Sequence, residues 1–410
     1  MNREPGRHAL AFVFITVLID MIGFGIVIPV VPELIMELTG EDLPQAAVYG
    51  GWLLFLFALM QFFMAPVIGN LSDRFGRRPI LLLSLAAYGL DYALMGLAPT
   101  LAWLFVGRLV AGIVGGSYVT ANAYIADVSA PEDRAKNFGL VGAAFGLGFI
   151  LGPVIGGLLG EYGARLPFFV AAGMAVANVV YGFVVLPETL PASERRPFSL
   201  ARANPVGAIG QVRRYPVAFG LLGVYLLYMI AHDANPSVFN YYTMLKFGWG
   251  EREVGLALGL VGVMITLVQG VLIRVVIPWL GEVRSVYAGY LLLSAGFLGF
   301  AFAGNGWVML LCIVPWSLGE IATPALRGIM ANQVPDNAQG ELQGALTSVA
   351  SLTAIGAPIL LTRLFHHFTA DPGGLYFPGA AFFAAGAMVL GALSVFAWVT
   401  GLRTQRAPAA

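Results

Sequence analysis

GNLSDRFGRRP, residues Gly69 to Pro79, lies between two long apolar runs and places one acid and three arginines within a few positions. Elsewhere charge is scarce: 11% of the 410 residues are Asp, Glu, Lys or Arg, 59% are hydrophobic, and mean hydropathy is +0.82. A soluble domain carries about a quarter charged residues, so most of this surface is expected to face lipid. A hydrocarbon core of about 30 Å takes roughly 20 apolar residues per helical crossing. The runs here are continuous rather than alternating, which selects helices over barrel strands. The charged stretch is then a short loop between two adjacent membrane helices.

Working outward, twelve apolar segments fall near 9–31, 47–69, 79–98, 101–125, 137–160, 166–186, 216–242, 253–277, 285–303, 306–330, 341–365 and 377–401. The first has no A-x-A-like exit and continues to Pro29 and Pro32, so it reads as a membrane helix rather than a cleaved leader. The longest polar stretch, about Pro187 to Tyr215, holds five arginines and separates six segments from six. The expected fold is all-α, twelve transmembrane helices in two pseudo-symmetric six-helix bundles. Residues 1–186 form the first bundle, 187–215 a cytoplasmic linker and 216–410 the second bundle. With both termini inside, the inner loops and tails collect most of the cations, and the outer side only Arg165, Lys246, Arg252 and Arg363. That is the asymmetry of the positive-inside rule. The halves also match at an offset of about 205: Gly76 falls on Gly281, Gly139 on Gly344 and Pro153 on Pro358, while Pro131-Glu132 falls on Pro335-Asp336 at 204. Such repeats build many secondary transporters, with substrate sites near the midplane.

Zero formal net charge gives no footprint for nucleic acid. Cys312 is the one cysteine, so an intrachain disulfide is excluded and a cysteine metal site is not expected. With four histidines, His366-His367 adjacent among them, neither a nucleophile–base set nor a metal-ligand set is visible, which argues against an intramembrane enzyme.

Several stretches together resemble one family. GNLSDRFGRRP is similar to the loop between helices two and three of the major facilitator superfamily. GRLVAGIVGG resembles its membrane-embedded arginine motif, and GFILGPVIGG the proline-glycine motif of its antiporters. DMIGFGIVIPVVP looks like the first helix of twelve-helix drug:proton antiporters. YGLDYALMGLAP and NQVPDNAQGELQGAL look most like the tetracycline/proton branch. The resemblance implies a proton-coupled exporter of a lipophilic, drug-like and possibly cationic small molecule, working by alternating access with protons as coupling ion and no other cofactor. Twenty arginines against two lysines point to a GC-rich bacterial genome and so to an inner-membrane location, and a monomer is expected. A symporter or facilitator of a metabolite, sugar or lysolipid on the same fold is the alternative. Tetracycline exporters of this family carry an acid in helix nine; SVYAGYLLLSAGFLGFAFAG has none, while helix ten carries Glu320 and helix seven His232-Asp233.

In the opening loop, Gly69 and Gly76 allow tight turns. Asp73 can accept from a helix N-terminus or an arginine, Arg74 adds charge, and Arg77 and Arg78 can reach Asp127. The family implies a cytoplasmic gate; a plainer role is a topology anchor. Asp20, Asp91 and Arg108 lie within membrane segments, where a charge at the helix centre costs about 2.5–3.5 kcal/mol and usually serves a pathway or a pair. Their offset partners Tyr225, Gly296 and Ile313 are uncharged. They are the expected proton-coupling groups together with Glu320; a buried pair that fixes packing is the alternative. In helix five, Gly148, Gly152, Gly156 and Gly157 permit close helix approach and Pro153 can bend the chain. Trp316, Glu320 and Thr323 share one face of helix ten, and Tyr225, Tyr228 and His232 one face of helix seven, before an expected break at Asn235-Pro236. With Asp233 and Gln61, these supply the candidate substrate contacts, an acid beside aromatic rings suiting a lipophilic cation. For any one ring, ordinary helix packing is the simpler explanation.

Overall fold

The computed structural model describes residues 7–115, 117–129, 133–198, 212–370 and 373–406. Pro131-Glu132, part of the linker (199–211, with Arg202) and the first six residues lie outside the described residues. Every longer element described is helical. Helix α1 runs Arg7–Val27, tightens to a 3₁₀ turn at Ile28–Val30 and continues as Val31–Thr39. Pro29 and Pro32 supply no N–H, so two α-helical bonds are lost where the turn tightens. Gly40 closes the helix at φ 70°, donating to the Met36 carbonyl at 2.8 Å. There follow α2 (Leu43–Phe75), α3 (Arg77–Gly96), α4 (Leu101–Val114, then Ser117–Val128), α5 (Arg134–Gly160) and α6 (Leu166–Val185). The second half comprises α7 (Pro216–His232, then Ala234–Phe247), α8 (Glu251–Leu280, with a π turn at Val268–Leu272) and α9 (Glu282–Phe302). It ends with α10 (Gly306–Gly319, then Ala322–Ala331), α11 (Gln339–Ala370) and α12 (Ala380–Arg406). Eleven of these are long and apolar enough to cross a bilayer, and the first half of α4 is a shorter apolar helix. Large apolar side chains lie open on the outer faces, among them Val184 at 76% and Leu311 at 69% exposure, as lipid contact requires.

Proline decides where two helices break. Pro236 cannot donate to the His232 carbonyl four residues back, and Pro324 cannot donate to that of Glu320. The interruption in α7 is therefore at Asp233, three residues before the expected Asn235-Pro236 position, because a missing N–H is felt at the carbonyl it would have bonded. In α10 the chain tightens around Glu320, whose N–H donates to Ser317 at 3.1 Å while its carbonyl accepts from Thr323 at 3.3 Å.

The internal repeat is visible in the backbone. Gly76 (φ 107°, ψ 158°) and Gly281 (φ 78°, ψ 159°) precede α3 and α9 in the same left-side conformation, and Gly40 and Gly248 close α1 and α7 at φ 70° and 66°. By contacts the chain divides into two units. The first holds α1, α3–α6, α2 from Leu56 and α8 up to Gly262; the second holds α7, α9–α12, Leu43–Phe55 and α8 from Val263.

In the first unit α5 lies along α1 on a strip of glycines. A side chain at Gly152 would meet the Gly25 Cα at 2.7 Å, and Gly148 and Gly156 approach Met21 and Ile26 as closely, while Gly157 faces Gly255 of α8. Four-residue spacing puts Gly148, Gly152 and Gly156 on one face. Pro153 sits inside an unbroken α5. The second unit uses the same device between α9 and α10, where Gly296 abuts Trp316 and Gly319 abuts Leu293. Its core is aromatic: Phe297, Phe300 and Phe382 pack around Trp316, and the Tyr242 hydroxyl donates to the Phe300 carbonyl.

Gly152→Leu is expected to destabilise the purified protein by about 1–3 kcal/mol or more through overpacking against backbone. Gly142→Ala, on the same helix with nothing within 4 Å of the added methyl, is expected to be neutral or to stabilise by up to about 1 kcal/mol. Thermal unfolding in detergent compares the two.

Candidate functional site

The stretch that opened the sequence folds around Arg77. Helix α2 continues through Gly69, which is not at positive φ, so the turn is made by Gly76 alone. One residue at φ 107° suffices because the Gly76 N–H already closes α2 on the Ser72 carbonyl at 3.1 Å. The Arg77 guanidinium pairs with Asp73, donates to Asp127 at 3.1 Å and to the Ser72 hydroxyl at 2.7 Å. Its backbone N–H, the first of α3, donates to Glu188 at 2.8 Å. Glu188 also accepts from the N–H groups of Thr189 and Leu190 at 3.0 Å and lies 4.0 Å from Arg195. A carboxylate at a helix N-terminus satisfies unpaired donors and meets the positive end of the dipole. It sits so near that a side chain at Gly76 would meet the Glu188 Cδ at 2.7 Å. Arg78 does not reach Asp127. Adjacent residues on a helix point about 100° apart, and Arg78 turns to the end of α6, donating to the Phe183 carbonyl at 2.6 Å with its ring 5.3 Å away. Arg74 lies over Phe75 at 5.1 Å. Glu188 was not singled out by sequence reasoning; the available signal was an acid directly after the sixth apolar run, in Pro187-Glu188-Thr189.

Deeper in the first unit, Asp91 of α3 is fully buried and accepts from Arg108 of α4 at 2.6 Å. The same Arg108 nitrogen lies 2.8 Å from the Met95 sulfur, and the guanidinium sits 5.9 Å from the Phe57 ring. Gly107 leaves room for the carboxylate, which a side chain there would strike at 2.5 Å. Asp20 of α1 is half-buried and lines a small cavity with Thr16, Met21, Leu81, Leu85 and Ala121. Gln61, a candidate substrate contact, donates to the Gly115 carbonyl at 3.3 Å, at the break in α4.

The second unit gathers the other candidates. Glu320 is 5% exposed and accepts from the Tyr228 hydroxyl at 2.7 Å. Tyr228 lies 5.7 Å from the ring of His232 and 5.9 Å from Tyr290, and His232 stacks on Trp316 at 6.3 Å. Trp316 and Tyr228 are themselves buried. Asp233 is half-buried at the α7 break, with one carboxylate oxygen lacking a partner among the described residues. Among those residues no group of three His, Cys, Asp or Glu side chains is placed to hold a metal ion.

A model of the Major Facilitator Superfamily matches residues 13–358. The chain belongs to the major facilitator superfamily. Within this superfamily it is 37% identical over 378 residues to the tetracycline resistance protein, class C, of Escherichia coli, covering 92% of this chain and 95% of that protein. It is 35% identical to the class B protein of Escherichia coli, over 89% and 91% of the two chains. Among solved structures it is similar to the human organic anion transporter MFSD10 (TETRAN), with a TM-score of 0.69, 25% identity and coverage of 96% of this chain and all of that one. The protein is thus a multi-pass membrane transporter of small molecules with the twelve-helix facilitator fold, and not an enzyme.

Removing one partner of a buried pair strands the other charge, at a cost of about 3–5 kcal/mol. Arg108→Ala is therefore expected to destabilise the protein by about that amount. Joint replacement, Arg108→Leu with Asp91→Leu, is expected to recover most of it. A double-mutant cycle on chemical unfolding in detergent measures the coupling.

Proposed function

We propose that this facilitator is a proton-coupled exporter of a lipophilic, drug-like small molecule. The observation that carries the reading is the Asp91–Arg108 pair, fully buried on the acid's side, in a chain 37% identical to a tetracycline resistance protein. A buried ion pair carries a desolvation cost that apolar packing does not, and ionisable groups inside a membrane usually serve a pathway or a pair. A guanidinium favours the charged carboxylate and a dry site favours the protonated one. If Arg108 moves off Asp91, the acid takes up a proton; when it returns, the proton leaves. Asp20, one helix away and beside a cavity, is the second group of this relay. Each proton entering down the membrane potential supplies about 2.3 kcal/mol per 100 mV, which drives substrate outward.

The cargo is placed among lipophilic molecules because the candidate contacts are aromatic or apolar with few hydrogen-bonding groups: Trp316, Tyr228 and His232, with Gln61, Asp233 and Glu320 as the polar exceptions. Relatives named for tetracycline resistance support a drug-like substrate. The Arg77 cluster acts as the gate, its carboxylates Asp73, Asp127 and Glu188 exchanging partners as the cycle turns. A bacterial inner membrane, termini in the cytoplasm, a monomeric unit and the bilayer as sole surroundings complete the reading.

Proteoliposomes with an imposed pH gradient, screened against tetracyclines, lipophilic cations and lysolipids, test it. Substrate-dependent proton movement is expected from the wild type and its loss from Asp91→Asn. Substrate flux indifferent to collapse of the gradient overturns the coupling and leaves a facilitator. In the same assay Asp73→Asn is expected to lower transport at unchanged membrane insertion, measured by yield of folded protein.

A further inference from the structure

We infer that Glu320 is a proton-binding site belonging to the second unit, distinct from the Asp91–Arg108 pair and working through the hydroxyl of Tyr228. Its place in the transport cycle rests on the proton-coupled reading above. Glu320 is 5% exposed and takes part in no ion pair among the described residues. One of its oxygens accepts from Tyr228 at 2.7 Å, and the other, Oε1, is buried with no partner among those residues.

The groups facing it are neutral or can be. From α7 they are Tyr225, Tyr228 and His232; from α9, Tyr290; from α10 itself, Trp316 and Thr323. Arg327 lies two turns further along α10 and is engaged elsewhere, donating to the Tyr225 hydroxyl at 2.7 Å with its guanidinium 5.4 Å from that ring. Asp233 lies at the α7 break, one residue beyond His232. On α11 the titratable residues, Glu341, Arg363, His366 and His367, lie toward the helix ends. An ionised carboxylate among such neighbours has one hydrogen bond and no countercharge, whereas burying a lone charge costs several kcal/mol. A proton on Oε1 removes that cost.

The neighbouring chemistry suits a group that gains and loses a proton. With the proton on Oε1, Oε2 remains an acceptor, so the Tyr228 hydroxyl donates to it in either state. The Tyr290 hydroxyl, buried without a partner among the described residues, is a spare group in the same cluster. The backbone is already open at this point, because Pro324 leaves the Glu320 carbonyl without its α-helical donor. The carboxyl therefore sits on a joint of α10 rather than inside a rigid turn. The step is a bare proton exchange: one proton joins the carboxylate oxygen and the same proton leaves, with no other bond made or broken.

Infrared difference spectra of the full-length protein, recorded as the buffer is taken from neutral to acidic pH, read protonated carboxyl groups by their C=O stretch. A titrating carboxyl band is expected in the wild type, lost in Glu320→Gln, kept in Asp91→Asn and displaced in Tyr228→Phe, which removes its hydrogen bond. A spectrum in which Glu320→Gln leaves every carboxyl band in place overturns the inference. So does a band that vanishes with Asp91→Asn alone. Transport in proteoliposomes separates the two readings: substrate flux without proton movement in the wild type overturns coupling, while the spectra decide proton binding at Glu320 by themselves.

Discussion

A hydrocarbon core offers a peptide group nothing to bond with, and the construction of this transporter follows from that. Wherever a helix is interrupted, the protein itself must answer for the exposed carbonyls and N–H groups. At Gly115 the answer is the Gln61 amide, reaching from α2 to the α4 carbonyl at 3.3 Å. At Glu320 it is a tightened turn of three-residue bonds. At the start of α3 it is Glu188, whose carboxylate takes the N–H of Arg77 and those of Thr189 and Leu190. Each repair places a polar side chain where a continuous helix needs none, so the sites with chemistry coincide with the sites of broken backbone.

The two units settle their buried acids in opposite ways. Asp91 has a guanidinium 2.6 Å away and almost nothing else polar. Glu320 has a phenol at 2.7 Å and takes part in no ion pair among the described residues. The first arrangement sets a charge against a charge. The second sets the carboxyl against a hydroxyl. Both lie against a glycine-lined contact, α3 on Gly107 and α9 on Gly319, where small residues let the backbones close in and shut out water.

Much of this was legible in the residues. Continuous apolar runs gave the helices to within a few positions, since length and hydropathy are what a bilayer selects. The offset of 205 reappears as two glycines, Gly76 and Gly281, with ψ of 158° and 159°. The gathering of Tyr228, His232, Trp316 and Glu320 followed from helical spacing on two segments. What stayed hidden depended on tertiary reach. Nothing local says that Arg78 prefers the Phe183 carbonyl to Asp127, or that Gln61 donates to the Gly115 carbonyl. Glu188 looked like a linker charge because its partner, the N–H of Arg77, is 111 residues away in sequence. Gly69 was read as a turn from its composition, but a helix tolerates glycine when its neighbours carry it forward.

Helix α3 is anchored at both extremities. Its first N–H is held by Glu188, and its last turn by Arg165, which donates to the carbonyls of Gly96 and Ala98 at 2.9 Å while pairing with Glu37 of α1 at 2.9 Å. A rod clamped at each end neither slides nor spins freely. Asp91, riding on that rod, is a stationary electrode. Its counterpart Arg108 rides on α4, the helix with a joint at Gly115, seven residues further on.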